Sequence, residues 1–273
     1  MDPLEGRPPP VATEAQRVLV TGAAGGIGSA IANRFLEVRG RVVMADSDRR
    51  RLEAARNSTR AGDRGVVVLL DVRHRRSVEA AMELAWGAFG GLDVLVNCAA
   101  IYPSHPILEM EEEDWDQVLD TNLKGPFLLS RSFASRLVEE GRGGHILNIT
   151  SGAARRARPG AAHYCTSKAA LEMLTRSFAI ELAPHGIRVN AISPGFVEVD
   201  SPVNPLSEEY RRAITAGIPL GRSGRPDDIA RAAVFMCSEA ADWITGASLS
   251  VDGGSGAGNV LLPLSRPSTR GGV

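Results

Sequence analysis

Tyr164 and Lys168 stand four residues apart in Tyr-Cys-Thr-Ser-Lys, at the start of a long helical pattern over 163–182. Residues at i and i+4 share one face of a helix. A tyrosine has an ordinary pKa near 10, so it needs help to exchange protons at neutral pH. A nearby ammonium favours phenolate and lowers that pKa. The pair therefore suits proton transfer to or from an oxygen. Lys124 and Lys168 are the only lysines among 31 basic residues, and there are three tyrosines. At those frequencies a chance Tyr-x-x-x-Lys arises about 0.02 times per chain of this length, so the pair is informative. Ser151, thirteen residues before Tyr164, closes an apolar run, Gly144–Thr150. A hydroxyl there could orient a carbonyl.

A second chemistry precedes it. Thr21-Gly-Ala-Ala-Gly-Gly-Ile-Gly28 follows a short β-branched run, Arg17–Thr21, and opens a helical pattern over 27–38. Gly22, Gly26 and Gly28 allow backbone angles and close approach that a Cβ would block. The free N–H groups and dipole of a helix start attract phosphate. In that strand–turn–helix context the run is a dinucleotide fingerprint. Asp46 closes the second apolar run, 18 residues past Gly28. A carboxylate there accepts the adenosine ribose hydroxyls and repels a 2′-phosphate, which favours NAD over NADP. Arg49, Arg50 and Arg51 could instead meet a phosphate, or form the exposed first turn of the next helix. Asp71, followed by Val72, could bond an adenine amino group or cap a helix. Asn97-Cys-Ala-Ala100 ends the fourth run with residues small enough for a cofactor to lie against the backbone.

The elements that must hold these groups alternate. Strand runs at 17–21, 41–46, 65–71, 92–97, 144–150, 187–192 and 247–251 are separated by helical patterns at 27–38, 49–60, 75–89, 111–139, 163–182 and 227–238. The strands are continuous apolar runs, as in a sheet covered on both faces. The expected fold is α/β, a Rossmann-type doubly wound parallel sheet of about seven strands flanked by helices. Residues 17–254 form the body, 1–16 an arm and 255–273 a tail that either docks or stays loose. A stretch from 198 to 221, with a short helical pattern at 207–216, has the length of a binding loop or lid. Arg155, Arg156 and Arg158, between Ser151 and Tyr164, either attract an anionic substrate or line a solvated loop.

Composition narrows the alternatives. With 44% hydrophobic and 23% charged residues the chain folds. A net charge of −1 argues against a nucleic-acid or membrane-surface partner. No apolar run reaches the roughly 20 residues that span a bilayer. Three cysteines at unrelated spacings point to a reducing, cytoplasmic setting, and the five histidines show no metal-ligand spacing. His163 reads as a surface residue at a helix start or a side chain at the pocket mouth.

Together these motifs resemble the short-chain dehydrogenase/reductase family in its single-domain branch, over about residues 17–254. The resemblance maps the family's catalytic set onto Asn122, Ser151, Tyr164 and Lys168. Its cofactor set maps onto Thr21, Gly22, Gly26, Ile27, Gly28, Asp46, Asp71, Val72, Asn97, Ala99, Tyr164, Lys168 and the loop Pro194, Gly195 and Val197. It implies an enzyme moving a hydride between NAD(H) and a secondary alcohol or ketone. Tyr164 is then the acid/base, Lys168 binds the nicotinamide ribose and depresses the Tyr164 pKa, and Ser151 holds the substrate oxygen. Asn122 holds a water that links Lys168 to solvent. The alternatives are an NADPH-dependent 3-oxoacyl or secondary-metabolite ketoreductase and a non-catalytic dinucleotide-binding regulator. The resemblance also implies a homotetramer or homodimer. Two positions depart from the family pattern. Ala100 replaces a glycine, and Val199 replaces a threonine that could hydrogen-bond the cofactor, with Ser201 as a possible substitute.

Overall fold

The computed structural model describes residues 16–59, 61–199 and 207–258. The expectations for the arm, for most of the 255–273 tail and for Ser201 fall outside them. Seven parallel strands form one sheet in the order β3-β2-β1-β4-β5-β6-β7. They are β1 (Arg17–Thr21), β2 (Arg41–Asp46), β3 (Gly65–Leu69), β4 (Val94–Asn97), β5 (Gly144–Ile149), β6 (Ile187–Pro194) and β7 (Ser248–Val251). The helices are α1 (Gly26–Glu37), α2 (Arg49–Asn57), α3 (Arg75–Phe89), α4 (Glu112–Leu119), α5 (Gly125–Glu139), α6 (Ala162–Leu182), α7 (Glu208–Ala216) and α8 (Pro226–Cys237).

The period of two along each strand sends alternate side chains to opposite layers. On β1, Val18 and Val20 join Ile31 and Phe35 of α1 and Met236 of α8. Leu19 points the other way, into a cluster with Met82 of α3 and Phe133 of α5. Both faces of the sheet are therefore covered, and the strands have to be apolar throughout. Gln16, assigned by the sequence reading to the arm, is buried, and its side-chain amide donates to the Cys237 carbonyl at 3.0 Å.

Strand order reverses between β1 and β4. In open α/β sheets the crevice at the carboxyl ends beside such a switch is where ligands bind. The glycine turn after β1 and the Asn97–Ala100 segment after β4 border it.

One expected element is divided. The pattern over 111–139 reads as one helix, but α4 and α5 are separated by a π-helical turn, Asp120–Lys124. Pro126 has no N–H to offer the carbonyl of Asn122 four residues earlier, and its ring would clash there. Widening the turn relieves that clash.

Candidate active site

The glycine turn is built by contact rather than by flexibility. Gly22 has φ +67°, and a Cβ on it would lie 2.7 Å from the Ala99 Cα. A Cβ on Gly28 would lie 2.2 Å from the Gly22 carbonyl oxygen. No side chain caps α1, whose N-cap is Gly25 and whose first turn has no acidic residue. Its leading N–H groups and dipole are the features that attract an anion. Thr21 holds the neighbouring segment: its hydroxyl accepts from the N–H groups of Cys98 and Ala99 at 3.1 and 3.2 Å. Val199 lies over Gly26, its Cγ1 2.8 Å from where a Cβ would be, so the chain after Pro194 and Gly195 covers the turn. Val197 anchors that chain by a bridge to Gly224.

Asp46 stands at the rim. One carboxylate oxygen accepts from the Ala24 N–H at 3.1 Å and the other from the Asp48 N–H at 3.2 Å. The arginines after it form the first turn of α2, capped by Asp48, which accepts from Arg51 N–H at 3.0 Å. The Arg51 guanidinium also reaches the Ala24 carbonyl at 3.4 Å.

Three assigned cofactor residues carry other duties. Asp71 is not the cap of α3, which is His74. Arg73 bonds both Asp71 oxygens, Oδ1 through its N–H at 3.1 Å and Oδ2 through its guanidinium at 2.6 Å. That pairing holds the Asp71 carboxyl below its usual range, so an adenine amino group would share a carboxylate already engaged. Val72 is buried and sits against Gly125. The Asn97 side chain turns into the core, donating to Asn148 Oδ1 at 2.8 Å and Ser130 Oγ at 3.1 Å. Asn97 and Ala99 can therefore offer a ligand only backbone.

The Asn97 network also places the reacting groups. Asn148 on β5 donates to Thr175 Oγ1 of α6 at 2.9 Å, which fixes α6 against the strand that delivers Ser151. Ser151 opens a short 3-10 turn, Gly152–Ala154, with its hydroxyl accepting from the Ala153 N–H at 3.2 Å. It also lies close enough to the Tyr164 phenol to pull its pKa down. Lys168, one turn further along α6, is buried; its Nζ donates to the Ile149 carbonyl at 2.9 Å and lies 5.8 Å from the Tyr164 ring centre.

The electrostatics differ from the sequence expectation. Burial pushes the Tyr164 phenol above its ordinary value; the Ser151 hydroxyl and the Arg158 guanidinium pull it down without cancelling that. Burial likewise lowers Lys168 itself, to about 8. The Cys98 thiol is pushed up to about 12 by burial, the behaviour of an inert packing cysteine.

Asn122 sits in the π turn, fully buried. Its Oδ1 accepts from the Ile101 N–H at 2.9 Å, and its Nδ2 donates to the Ile101 carbonyl at 2.9 Å and to Ser167 Oγ at 3.2 Å. Both amide protons are used, so the side chain works as a clamp on the loop after β4. Three neighbours of Tyr164 make contacts with it that their place in the sequence did not specify. Tyr102, at the end of that clamped loop, stacks edge-on at 6.1 Å between ring centres. His163 is completely buried, contrary to the surface reading, and its Nδ1 accepts from the Tyr164 N–H at 2.9 Å. Arg158 lies over the Tyr164 ring, 5.7 Å from its centre. The residue types were visible, but nothing in their spacing announced these contacts.

A Gly-rich turn at an uncapped helix start, beside a Ser–Tyr–Lys cluster on one sheet edge, agrees with comparison to known proteins. A family model described as enoyl-(acyl carrier protein) reductase matches residues 22–256. The chain belongs to the short-chain dehydrogenase/reductase family. It is 38% identical over 247 residues to a galactitol 2-dehydrogenase of Agrobacterium fabrum, covering 87% of this chain and 96% of that protein. It is equally 38% identical over 239 residues to the 3-oxoacyl-[acyl-carrier-protein] reductase FabG of Rickettsia bellii, covering 88% and 96%. The crystal structure of a Brucella melitensis 3-ketoacyl-(acyl-carrier-protein) reductase complexed with NADH superposes with a TM-score of 0.81 at 34% identity, covering 90% and 100%. Among the described residues, no group of three or more His, Cys, Asp or Glu could hold a metal ion, and no helix is long and apolar enough to cross a membrane.

Proposed function

We propose that this short-chain dehydrogenase/reductase transfers a hydride between NAD(H) and a secondary alcohol or ketone, with Tyr164 as acid/base. The observation that carries the reading is the Ser151–Tyr164–Lys168 cluster at the carboxyl edge, next to the uncapped start of α1. A regulator that only bound dinucleotide would need neither the Ser151 hydroxyl nor a titratable phenol at Tyr164.

The residues fit the cofactor. The α1 start and the Gly22–Ala99 close approach would receive the pyrophosphate, and Asp46 the adenosine ribose. Pro194, Gly195 and Val197 would flank the nicotinamide, and Lys168 its ribose. When bound, the nicotinamide supplies the hydride acceptor or donor. The rest is the work of the chain's own groups. Ser151 holds the substrate oxygen beside the Tyr164 phenol. In reduction the neutral phenol, favoured by its raised pKa, donates a proton to that oxygen. In oxidation the phenol must first lose its proton, so this direction gains with pH. Proton traffic to Lys168 runs past Asn122. With the side chain of Asn122 spent on Ile101 and Ser167, the atom left to hold a water is its main-chain carbonyl, which Pro126 cannot bond.

Tyr164→Phe should abolish turnover of alcohols and ketones, followed by nicotinamide absorbance, while the variant still binds NADH by calorimetry. Near-normal turnover in that variant overturns the reading. A second reading, NADPH-linked reduction of 3-oxoacyl substrates, is favoured by the Arg51 guanidinium lying over the glycine turn beside Asp46. The ratio of kcat/KM for NADH and NADPH separates the two.

The same reading includes a homotetramer in a cytoplasmic setting. Phe127, Met173 and Ile180 are exposed on α5 and α6, and Phe235, Trp243 and Leu249 around α8 and β7. Two such apolar faces suit two interfaces. Equilibrium sedimentation showing a stable monomer contradicts it.

A further inference from the structure

We propose that Arg158 is the substrate-recognition cation of this site, and that the substrate is a hydroxy acid or oxo acid. Its carboxylate would lie a few bonds from the reacting carbon. This rests on the hydride-transfer reading above.

Three arginines share the loop between Ser151 and Tyr164, and the structure separates their roles. Arg155 is a strut. Its guanidinium donates to Ser193 Oγ of β6 at 3.0 Å and Ser250 Oγ of β7 at 2.8 Å, and lies 3.5 Å from Glu172 of α6. Arg156 is exposed. Arg158 is exposed as well, yet it is placed over the Tyr164 ring. No carboxylate among the described residues forms a salt bridge with it, whereas Arg155 in the same loop reaches Glu172.

Its position is not an accident of a loose loop. The Arg158 carbonyl accepts from the Ala161 N–H at 3.3 Å, and the Gly160 carbonyl accepts from the His105 N–H at 2.9 Å. Gly160 has φ +71°, and a Cβ there would lie 2.5 Å from Ser104 Oγ. The Arg158 loop is thus zipped to the Tyr102–His105 loop, and each loop places a side chain against the Tyr164 ring. The oxygen on the reacting carbon must come within hydrogen-bond reach of the phenol, about 2.6–3.2 Å. A carboxylate close to that carbon then falls within reach of the guanidinium, whose planar fork matches two carboxylate oxygens. Neutral polyols leave the cation with nothing to pair.

The test compares acid and amide in matched pairs. Lactate and lactamide, 3-hydroxybutyrate and 3-hydroxybutyramide, and glycerol 3-phosphate and glycerol are assayed with NAD on the full chain and on Arg158→Gln and Arg158→Lys. The wild-type chain should prefer at least one carboxylate over its amide on the order of tenfold in kcat/KM. This is the low end for a charge-assisted bond, because the guanidinium is exposed. Arg158→Gln should collapse that ratio towards one, and Arg158→Lys should keep part of it. An electrostatic role on Tyr164 alone would slow acid and amide equally and leave the ratio unchanged, which overturns the proposal. A preference confined to the phosphate pair also overturns it. Binding of acetoacetate and acetoacetamide to the NADH-loaded chain, by calorimetry, reads the same preference without turnover. Turnover of neutral alcohols with no acid preference sinks this proposal alone. Absence of NADH binding sinks the hydride-transfer reading instead.

Discussion

Replacing Asn122 with alanine separates a clamp from a proton relay. The clamp consists of three hydrogen bonds, two to the Ile101 backbone and one to Ser167 Oγ. Truncation leaves the Ile101 N–H and carbonyl without this partner, and each unsatisfied backbone group costs about 1–3 kcal/mol. Ile101 is only half-buried, so water relieves part of that, and the expected loss is about 2–4 kcal/mol. In a chain of this size each kcal/mol moves Tm by about 2–4 °C, so the shift is on the order of 10 °C. Scanning calorimetry reads it directly. Because Tyr102 follows Ile101 and packs on Tyr164, KM should rise along with the loss of stability. Ser167→Ala combined with Asn122→Ala should be less than additive, since the two share a bond. A residue that only conducts protons would behave differently: kcat would fall while Tm stayed within about 2 °C. That result refutes the clamp.

Three further outcomes follow from the same geometry. Gly28→Ala forces a Cβ to within 2.2 Å of the Gly22 carbonyl. It should cost at least about 1–3 kcal/mol and weaken NADH binding by calorimetry, whereas Gly62→Ala, with nothing within 4 Å, should leave NADH binding unchanged. Lys168, lowered from 10.5 to about 8, binds fewer protons folded than unfolded between those values. Stability should therefore rise with pH across that window, and denaturant titrations of Lys168→Met should lose that rise. His145, buried on β5 and lowered from 6.5 to about 3, stays neutral in the fold while the unfolded chain protonates. Stability should fall as pH drops from 6.5 towards 3, and His145→Met should flatten that fall in acid unfolding curves.

What could be read ahead of the structure has a common cause. The strands, the glycine turn and the Tyr164–Lys168 pair are set by covalent neighbours: side-chain period, missing Cβ atoms, four residues of helix. The apolar spacing over 111–139 runs straight through the π turn, because a widened turn displaces the pattern too little to break it. The signal was Pro126, which takes away one N–H and so decides where Asn122 can put its carbonyl. Partners far along the chain were illegible. Asn122 meets Ile101 and Ser167 at separations of 21 and 45 residues, so the clamp its side chain makes was not visible beside the relay that the resemblance implied. Arg158 is the instructive case. Sequence placed three arginines in one loop with no means of telling them apart. Only the serines of β6 and β7, on strands that meet there through pairing, show that Arg155 is already occupied. Once the strut is removed from the count, Arg156 and Arg158 remain without an acidic partner among the described residues, and Arg158 is the one placed over the tyrosine ring. The substrate's charge therefore becomes a question the fold can pose, although no motif contains it.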